Sequence, residues 1–482
     1  MEDGRNIANF AVDYGISQGA SYIEARFIDS WEESFTTRNG SFIGIVESTE
    51  KGIGIRAIAN GGMGFGSTEQ LDKDSIQNLI KTIIGMAKAG KRKEPIVFSE
   101  EKIEVANWHT PVRENFKDIS NEEKQSYLKN LDKGLKNESK NKLKGRFSFM
   151  ELLMQDKYIT TSEGSKINSQ KSLISVMLLN TAKGKLGTEQ RVYNLGGSAG
   201  WEWLEDIKFY ELATQDGKFL VKTAEDAKKI KFDKPIDVVV NGEVAGIMVH
   251  ENVGHPSEGD RILGREGAQA GESFYGDLLK EGKLGEIKLG NESVSVIDDP
   301  TIIGTAGFYL YDDECVKARP RYLIKNGMLN ELLLNREYAA RFKTKSNAAA
   351  RAVTYAREPI SRMANTLFKP GDYSREELIE DVKEGILMNS FTEWNIDDRR
   401  FQSKYVGHEV FLIKNGEITN IMVRRPILEL TTYGLLGNID AIGKDRFMPI
   451  GLCGKGDPLQ GIPVSMGGPH VRLRNIKVMG GD

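Results

Sequence analysis

The stretch "VHENVGHPSEGD", Val249 to Asp260, constrains this chain more than any other. It carries two histidines, His250 and His255, five positions apart, with Gly254 and Pro256 flanking the second. On a regular α-helix a residue turns by about 100°, so a five-residue step leaves two side chains about 140° apart. One extra residue in the turn, a π-bulge, brings positions i and i+5 onto one face. Gly254 weakens the helix there. Pro256 lacks an N–H for the carbonyl of Asn252 and clashes with it. The residues that break a helix therefore stand where this spacing demands an irregular turn.

Two imidazoles on one face suit a transition metal, and Glu251 lies beside the first. A carboxylate in that place can take a proton from water and pass it to a departing amine. A catalytic zinc takes three protein ligands and keeps a fourth position open. Two candidates exist for the third: Glu258 close by, and Cys453 in the distant "GLCGKGDPLQGIPVSMGGPH". With five histidines and 69 acidic residues in 482, about 0.007 chance matches to His-acid-x-x-x-His are expected, so accident is a poor account of the motif.

The length points to more than one core, and a two-domain division at 230/231 is expected: 1–230 and 231–482. A net charge of −3 offers no bulk case for nucleic-acid binding. No window resembles a membrane span, and the start lacks the basic and apolar segments of a signal peptide. The two cysteines, Cys315 and Cys453, form no disulfide framework, so a cytoplasmic protein is expected.

The first half reads as sheet packed with helices. Helices are predicted over 5–16, from Asp72 onward, near 120–137 and near 205–230, with Asp72 as a cap. Strands surround Asn39-Gly40 and Asn60-Gly61. In the second half, Pro235 precedes a short apolar strand, Ile236 to Val240, and Asn241 caps the helix that carries the motif. "YLIKNGMLNELLL" at Tyr322 and "FLIKNGEITNIMV" at Phe411 both read as Asn-Gly hairpins, either convergent or duplicated. Ser374 and Glu377 form a capping box. The fold class expected is α+β: an N-terminal domain of sheet and helices, then a β-rich domain carrying the distorted His-Glu-x-x-x-His helix.

The motif and the "GLCGKGDPLQGIPVSMGGP" segment together resemble the TldD/PmbA family of metallopeptidases, in its metal-bearing TldD type. "GIGIRAIANGGMGFGST", "TAGFYLYDDE" at Thr305, "ISRMANTLFKPG" at Ile360 and "LIKNGEI" at Leu412 extend the resemblance across nearly the whole chain. It implies His250, His255 and Cys453 as zinc ligands, Glu251 as general base, and Glu258 as a group behind the ligands, which stays the alternative third ligand. It also implies hydrolysis of extended, unstructured peptides inside a dimer, either of identical chains or with a PmbA/TldE-type paralogue. A substrate strand would pair with a sheet edge. The chain departs from the family pattern at Cys315, where Gly is usual, and over Asn395–Phe401, which lacks a Gly-containing turn.

Two other readings stand beside this one: a non-catalytic peptide-binding subunit braced by a structural metal, and a metal amidohydrolase of small substrates. The remaining residues have plainer expectations. Cys315 is a small buried residue, His408 and His470 are structural, and His109 is at the surface or packed. Asp312 and Asp313 belong to a turn. Arg424-Arg425 and the lysine-rich 124–145 segment are solvated faces.

Overall fold

The computed structural model describes residues 2–267 and 270–480. Its N-terminal part is built on one seven-stranded sheet. The chain enters through helix α1 (Glu2–Ser17) and strands β1 (Tyr22–Arg38), β2 (Ser41–Ala59) and β3 (Gly62–Thr68). Helix α2 (Lys73–Ala89), strand β4 (Val105–His109) and helix α3 (Asn121–Glu138) follow. Strands β5 (Leu143–Thr161), β6 (Lys166–Gly184) and β7 (Gly187–Gly197) lead through the short helix α4 (Trp203–Asp206) into α5 (Phe209–Asp226). The order across the sheet is β3-β2-β1-β5-β6-β4, with β7 also paired to β6.

The two expected turns form as read: Asn39, Gly40, Asn60 and Gly61 all have positive φ, as the tight hairpins require. Strand alternation assigns the faces. Even-numbered residues such as Leu152, Ile174, Val176 and Leu178 pack against helices α3 and α5. On the opposite face, Ile159 and Ile167 pack with Phe308 and Tyr309 of the C-terminal part.

The C-terminal part holds two six-stranded sheets. In one, the central strand Ile236–Val240 lies between Glu384–Met388, which runs parallel to it, and the antiparallel Val471–Ile476. In the other, Gln460–Gly467 lies between Asn365–Phe368, parallel to it, and the antiparallel edge strand Ile450–Lys455. Their shared core gathers Val238, Val240, Val244, Met248, Val464 and Val471. The two Asn-Gly hairpins form at Asn326-Gly327 and Asn415-Gly416, each with both turn residues at positive φ.

The join between the halves is charged. Buried Arg56 meets Glu24 at 2.8 Å and Glu314 at 2.7 Å, and Arg336 meets Glu163 at 2.7 Å. One expectation fails here. Arg424 and Arg425 are no solvated face: both pair with buried Glu189, at 3.4 and 2.7 Å, because β7 begins beneath them. The lysine-rich 124–145 segment is a solvated face as expected at Lys129, Lys133, Lys136, Lys140, Lys142 and Lys144, while Lys124 is buried against Glu33. Mixed-sign composition conceals such pairs, because each partner comes from a distant strand.

Candidate metal centre

The site begins at a buried strand. Val238 to Val240 are inaccessible, and the chain leaves them through Asn241, whose side chain accepts from the amides of Glu243 and Val244 at 3.1 Å. The capped helix Gly242–Val249 then runs into a π-helical turn, His250–Gly254, and a 3-10 turn, His255–Ser257. The wide turn forms where Gly254 and Pro256 predispose the chain to it. It is pinned from outside: the Asn252 amide donates to the Met248 carbonyl at 3.0 Å and to the Tyr405 hydroxyl at 2.8 Å. Gly254 sits so close to Met363 that a Cβ there would meet the sulfur at 2.0 Å.

The turn brings the two rings together, with centroids 4.7 Å apart and planes at 82°. Cys453 arrives from the edge strand Ile450–Lys455, and its Sγ lies 3.6 Å from His255 Nε2. Donor atoms of His250, His255 and Cys453 all lie within 4.8 Å of one another, and all three residues are buried. The Nδ1 of His250 is buried without a hydrogen-bond partner. Two imidazoles and a thiol, one of them with an orphaned buried nitrogen, are a donor set that fits zinc.

Burial lowers the proton affinity of both histidines, and Arg400 adds to the effect at His255, which falls to about 4. Burial pushes the Cys453 thiol up, but His255 and Arg362 outweigh it and bring the thiol down to about 7.

Glu258, the nearby candidate for third ligand, is committed elsewhere. Its carboxylate lies 2.9 Å from His255 Nδ1, 2.6 Å from Arg261 Nε and 3.3 Å from Lys455 Nζ. Burial opposes its ionisation, yet Lys455, His255 and Arg261 hold it well below the usual carboxylate range. It therefore fixes the ring so that Nε2 faces Cys453, as carboxylates behind metal-binding histidines do. Lys455 follows Cys453 by two positions, so strand alternation sends both side chains inward. It is fully buried and bridges Glu258 to Asp260, 2.7 Å away. The two-residue spacing was the available signal for Lys455.

Glu251 lines the same space, paired with Arg400. Arg400 has φ +61 in the turn after Asn395, so an arginine occupies the left-handed position where a glycine was expected. The Ala270 carbonyl, at 3.2 Å, helps to hold it there. Nothing in the sequence singled out Arg400, because its partner is 149 positions away.

These groups lie in a cleft of about 660 Å³, walled by β7, by Phe391–Ile396 and by Pro449–Gly454. Among the described residues each wall strand pairs on one side only, which leaves its other edge without a partner strand. Arg191 ties the walls together through Asp216, Glu243 and the Phe391 carbonyl.

Other expected residues fall outside the cleft. His470 pairs with Asp445 at 2.6 Å, His109 is exposed, and His408 is buried. Cys315 is buried with φ +63, and Asp312 caps its turn by accepting from the Glu314 and Val316 amides.

Models of one family match three segments of this chain. They are described as PmbA/TldA metallopeptidase domain 1 (residues 23–87), central domain (114–230) and C-terminal domain (233–480). A metalloprotease of Methanocaldococcus jannaschii is 30% identical, over 94% of this chain and 95% of that protein. A zinc metalloprotease TldD homolog of Saccharolobus solfataricus is 26% identical, over 96% and 97%. The crystal structure of TldE from Thermococcus kodakarensis superposes with a TM-score of 0.73 at 15% identity, over 98% and 99% of the two chains. At that identity the superposition speaks for the fold alone.

Proposed function

This chain belongs to the PmbA/TldD family and is a metallopeptidase, a hydrolase; from that premise we propose that it is zinc-dependent, with His250, His255 and Cys453 holding the ion and Glu251 as general base. The observation that carries the proposal is the convergence of three buried donors within 4.8 Å on the floor of a cleft that Glu251 also lines. Zinc, when bound, supplies Lewis acidity toward a peptide carbonyl and toward water.

The chain's own groups do the rest. Glu251 takes the proton of the attacking water and delivers it to the departing nitrogen. Arg400 keeps that carboxylate aimed into the cleft. Glu258 holds the tautomer and tilt of His255. The open edges of β7 and of Ile450–Lys455 offer backbone donors and acceptors to a substrate in extended form, which favours unstructured peptides over folded proteins and demands little of their side chains.

The same proposal includes a dimer that closes the cleft, of identical chains or with a TldE-type partner, a division of the chain at 230/231, and a cytoplasmic setting in keeping with two free cysteines.

The test is metal analysis together with digestion of an unfolded peptide. Glu251→Gln is expected to keep zinc and to lose about 10²- to 10⁴-fold in cleavage. His250→Ala and Cys453→Ala are expected to lose the metal. Cleavage retained by Glu251→Gln removes it as the base.

A further inference from the structure

A further cavity, with charged groups among apolar ones, lies between the two halves of the molecule. It has a volume of about 90 Å³ and is lined by Trp108, Lys157, Lys171, Asp312, Asp313 and Arg351 among others. Water takes up about 30 Å³ per molecule in the liquid, so the space suits a small polyatomic ion or a few waters. The N-terminal sheet supplies one wall. Lys157 on β5 and Lys171 on β6 are odd-numbered, and strand alternation sends them to the face that packs on the C-terminal part.

The charges do not balance. Three cations meet two carboxylates, and the carboxylates are already engaged. Asp313 accepts from Lys157 at 2.7 Å and from the Ala352 amide at 2.7 Å. Asp312 accepts from three backbone amides, those of Glu314, Val316 and Ala350. Lys171 and Arg351 have no carboxylate partner among the described residues. Among the described residues Lys171 donates to the Ala306 carbonyl, at 3.1 Å. Arg351, buried, donates to the carbonyls of Met363 and Pro463, at 2.7 and 2.9 Å, and lies over the Tyr309 ring, 5.5 Å from its centroid. The indole N–H of Trp108 is buried with no acceptor. A lysine ammonium has three N–H donors and a guanidinium five, so several donors remain open. Burying cations without a counter-charge is costly. Burial pushes Lys171 well below the ordinary lysine value, and Arg351 and Lys157 add to that.

We propose that this cavity is a binding site for a small oxyanion, held by Lys171, Arg351 and the Trp108 indole N–H. Its ligand class is phosphate, sulfate or a small carboxylate. The site is separate from the candidate metal centre yet touches its framework. Pro463, whose carbonyl Arg351 holds, is on the strand that pairs with the Cys453 strand, and Met363 packs on Gly254.

The experiment uses the full, zinc-loaded chain with nitrogen-15 tryptophan. Trp108→Phe, which keeps the ring packing and removes only the N–H, identifies the Trp108 indole resonance by its loss. Inorganic phosphate, sulfate and acetate are titrated at constant ionic strength against chloride. Phosphate and sulfate arms that shift the resonance saturably support a tetrahedral ligand; a stronger acetate arm supports a carboxylate. Loss of one charged donor in Lys171→Gln is expected to weaken binding about tenfold or more. A resonance that no oxyanion moves, or that chloride moves equally, overturns the site. So does an unchanged midpoint in Lys171→Gln. If that variant fails to fold, the wild-type titration against chloride decides the question.

Discussion

The two halves of this molecule use β-structure in opposite ways. The N-terminal sheet is built of strands up to 19 residues long, and most of its pairings join chain neighbours: β1 with β2, β5 with β6, β6 with β7. In the C-terminal part the longest strand has eight residues, and pairings leap across the chain, with Gly385–Met388 parallel to Asp237–Val240 and Asn365–Leu367 parallel to Ser465–Gly467. Parallel pairing requires a crossover, and each crossover returns the chain to a place it has already visited. That is how a helix near residue 250 and a strand near 453 come to share one site. The long sheet makes a wall with a free edge; the short strands bring the donor atoms together.

If that contrast holds, similar substitutions should behave differently in the two halves. The largest effect is expected at buried carboxylates. Glu258→Gln breaks an ion network and should cost about 3–5 kcal/mol of stability. It should also lower zinc affinity about 10- to 100-fold, because His255 loses its orienting partner. Glu33→Gln, which breaks the buried pair with Lys124, should cost comparable stability and leave zinc affinity alone. Denaturant titration combined with metal-release titration separates the two. Equal zinc loss in both variants would break the comparison.

Glycines come next. Gly254→Ala meets the Met363 sulfur and should cost about 3 kcal/mol through overpacking in the wide turn, with zinc lost. Gly44→Ala on β2 meets only Thr36, at 3.7 Å, and should stabilise by about 0.5–1 kcal/mol. Thermal denaturation of both variants is the measurement.

His408 sharpens the contrast through pH. Burial, with Arg191 and Arg425 nearby, lowers its pKa from 6.5 to about 3. The unfolded chain therefore binds the proton that the folded chain refuses. Stability from this residue is complete above pH 6.5 and lost as pH falls toward 3, by about 1.4 kcal/mol per unit, or about 2 kcal/mol at pH 5. Both ring nitrogens lack partners, so His408→Phe should flatten that acid loss. Urea midpoints at pH 7 and pH 5 give the slope.

The smallest effects are at helix caps. Asn241→Ala and Ser120→Ala each remove a side-chain acceptor from a helix start and should each cost about 1 kcal/mol. Only the first should also weaken zinc binding, because its helix leads into the wide turn.

Much of the local structure was legible in the sequence. The caps at Asp72, Asn241 and Ser374, the Asn-Gly turns and the irregular turn after His250 all follow from residues that are neighbours in the chain. The arginines at 424 and 425 were misread because charge is legible in a sequence and its partner is not. Arg400 was invisible for the same reason, and so was the cavity around Lys171, whose walls come from both halves.

By itself the sequence determined where the helix must become irregular. Gly254, Pro256 and a five-residue step leave the backbone few ways to run, and those limits act within one or two turns. Only the tertiary structure decided which sulfur stands beside the two imidazoles, which carboxylate steadies His255 and which arginine meets Glu251. Cys453 and His255 are 198 positions apart, and sheet order and register bring them together, which no local preference encodes.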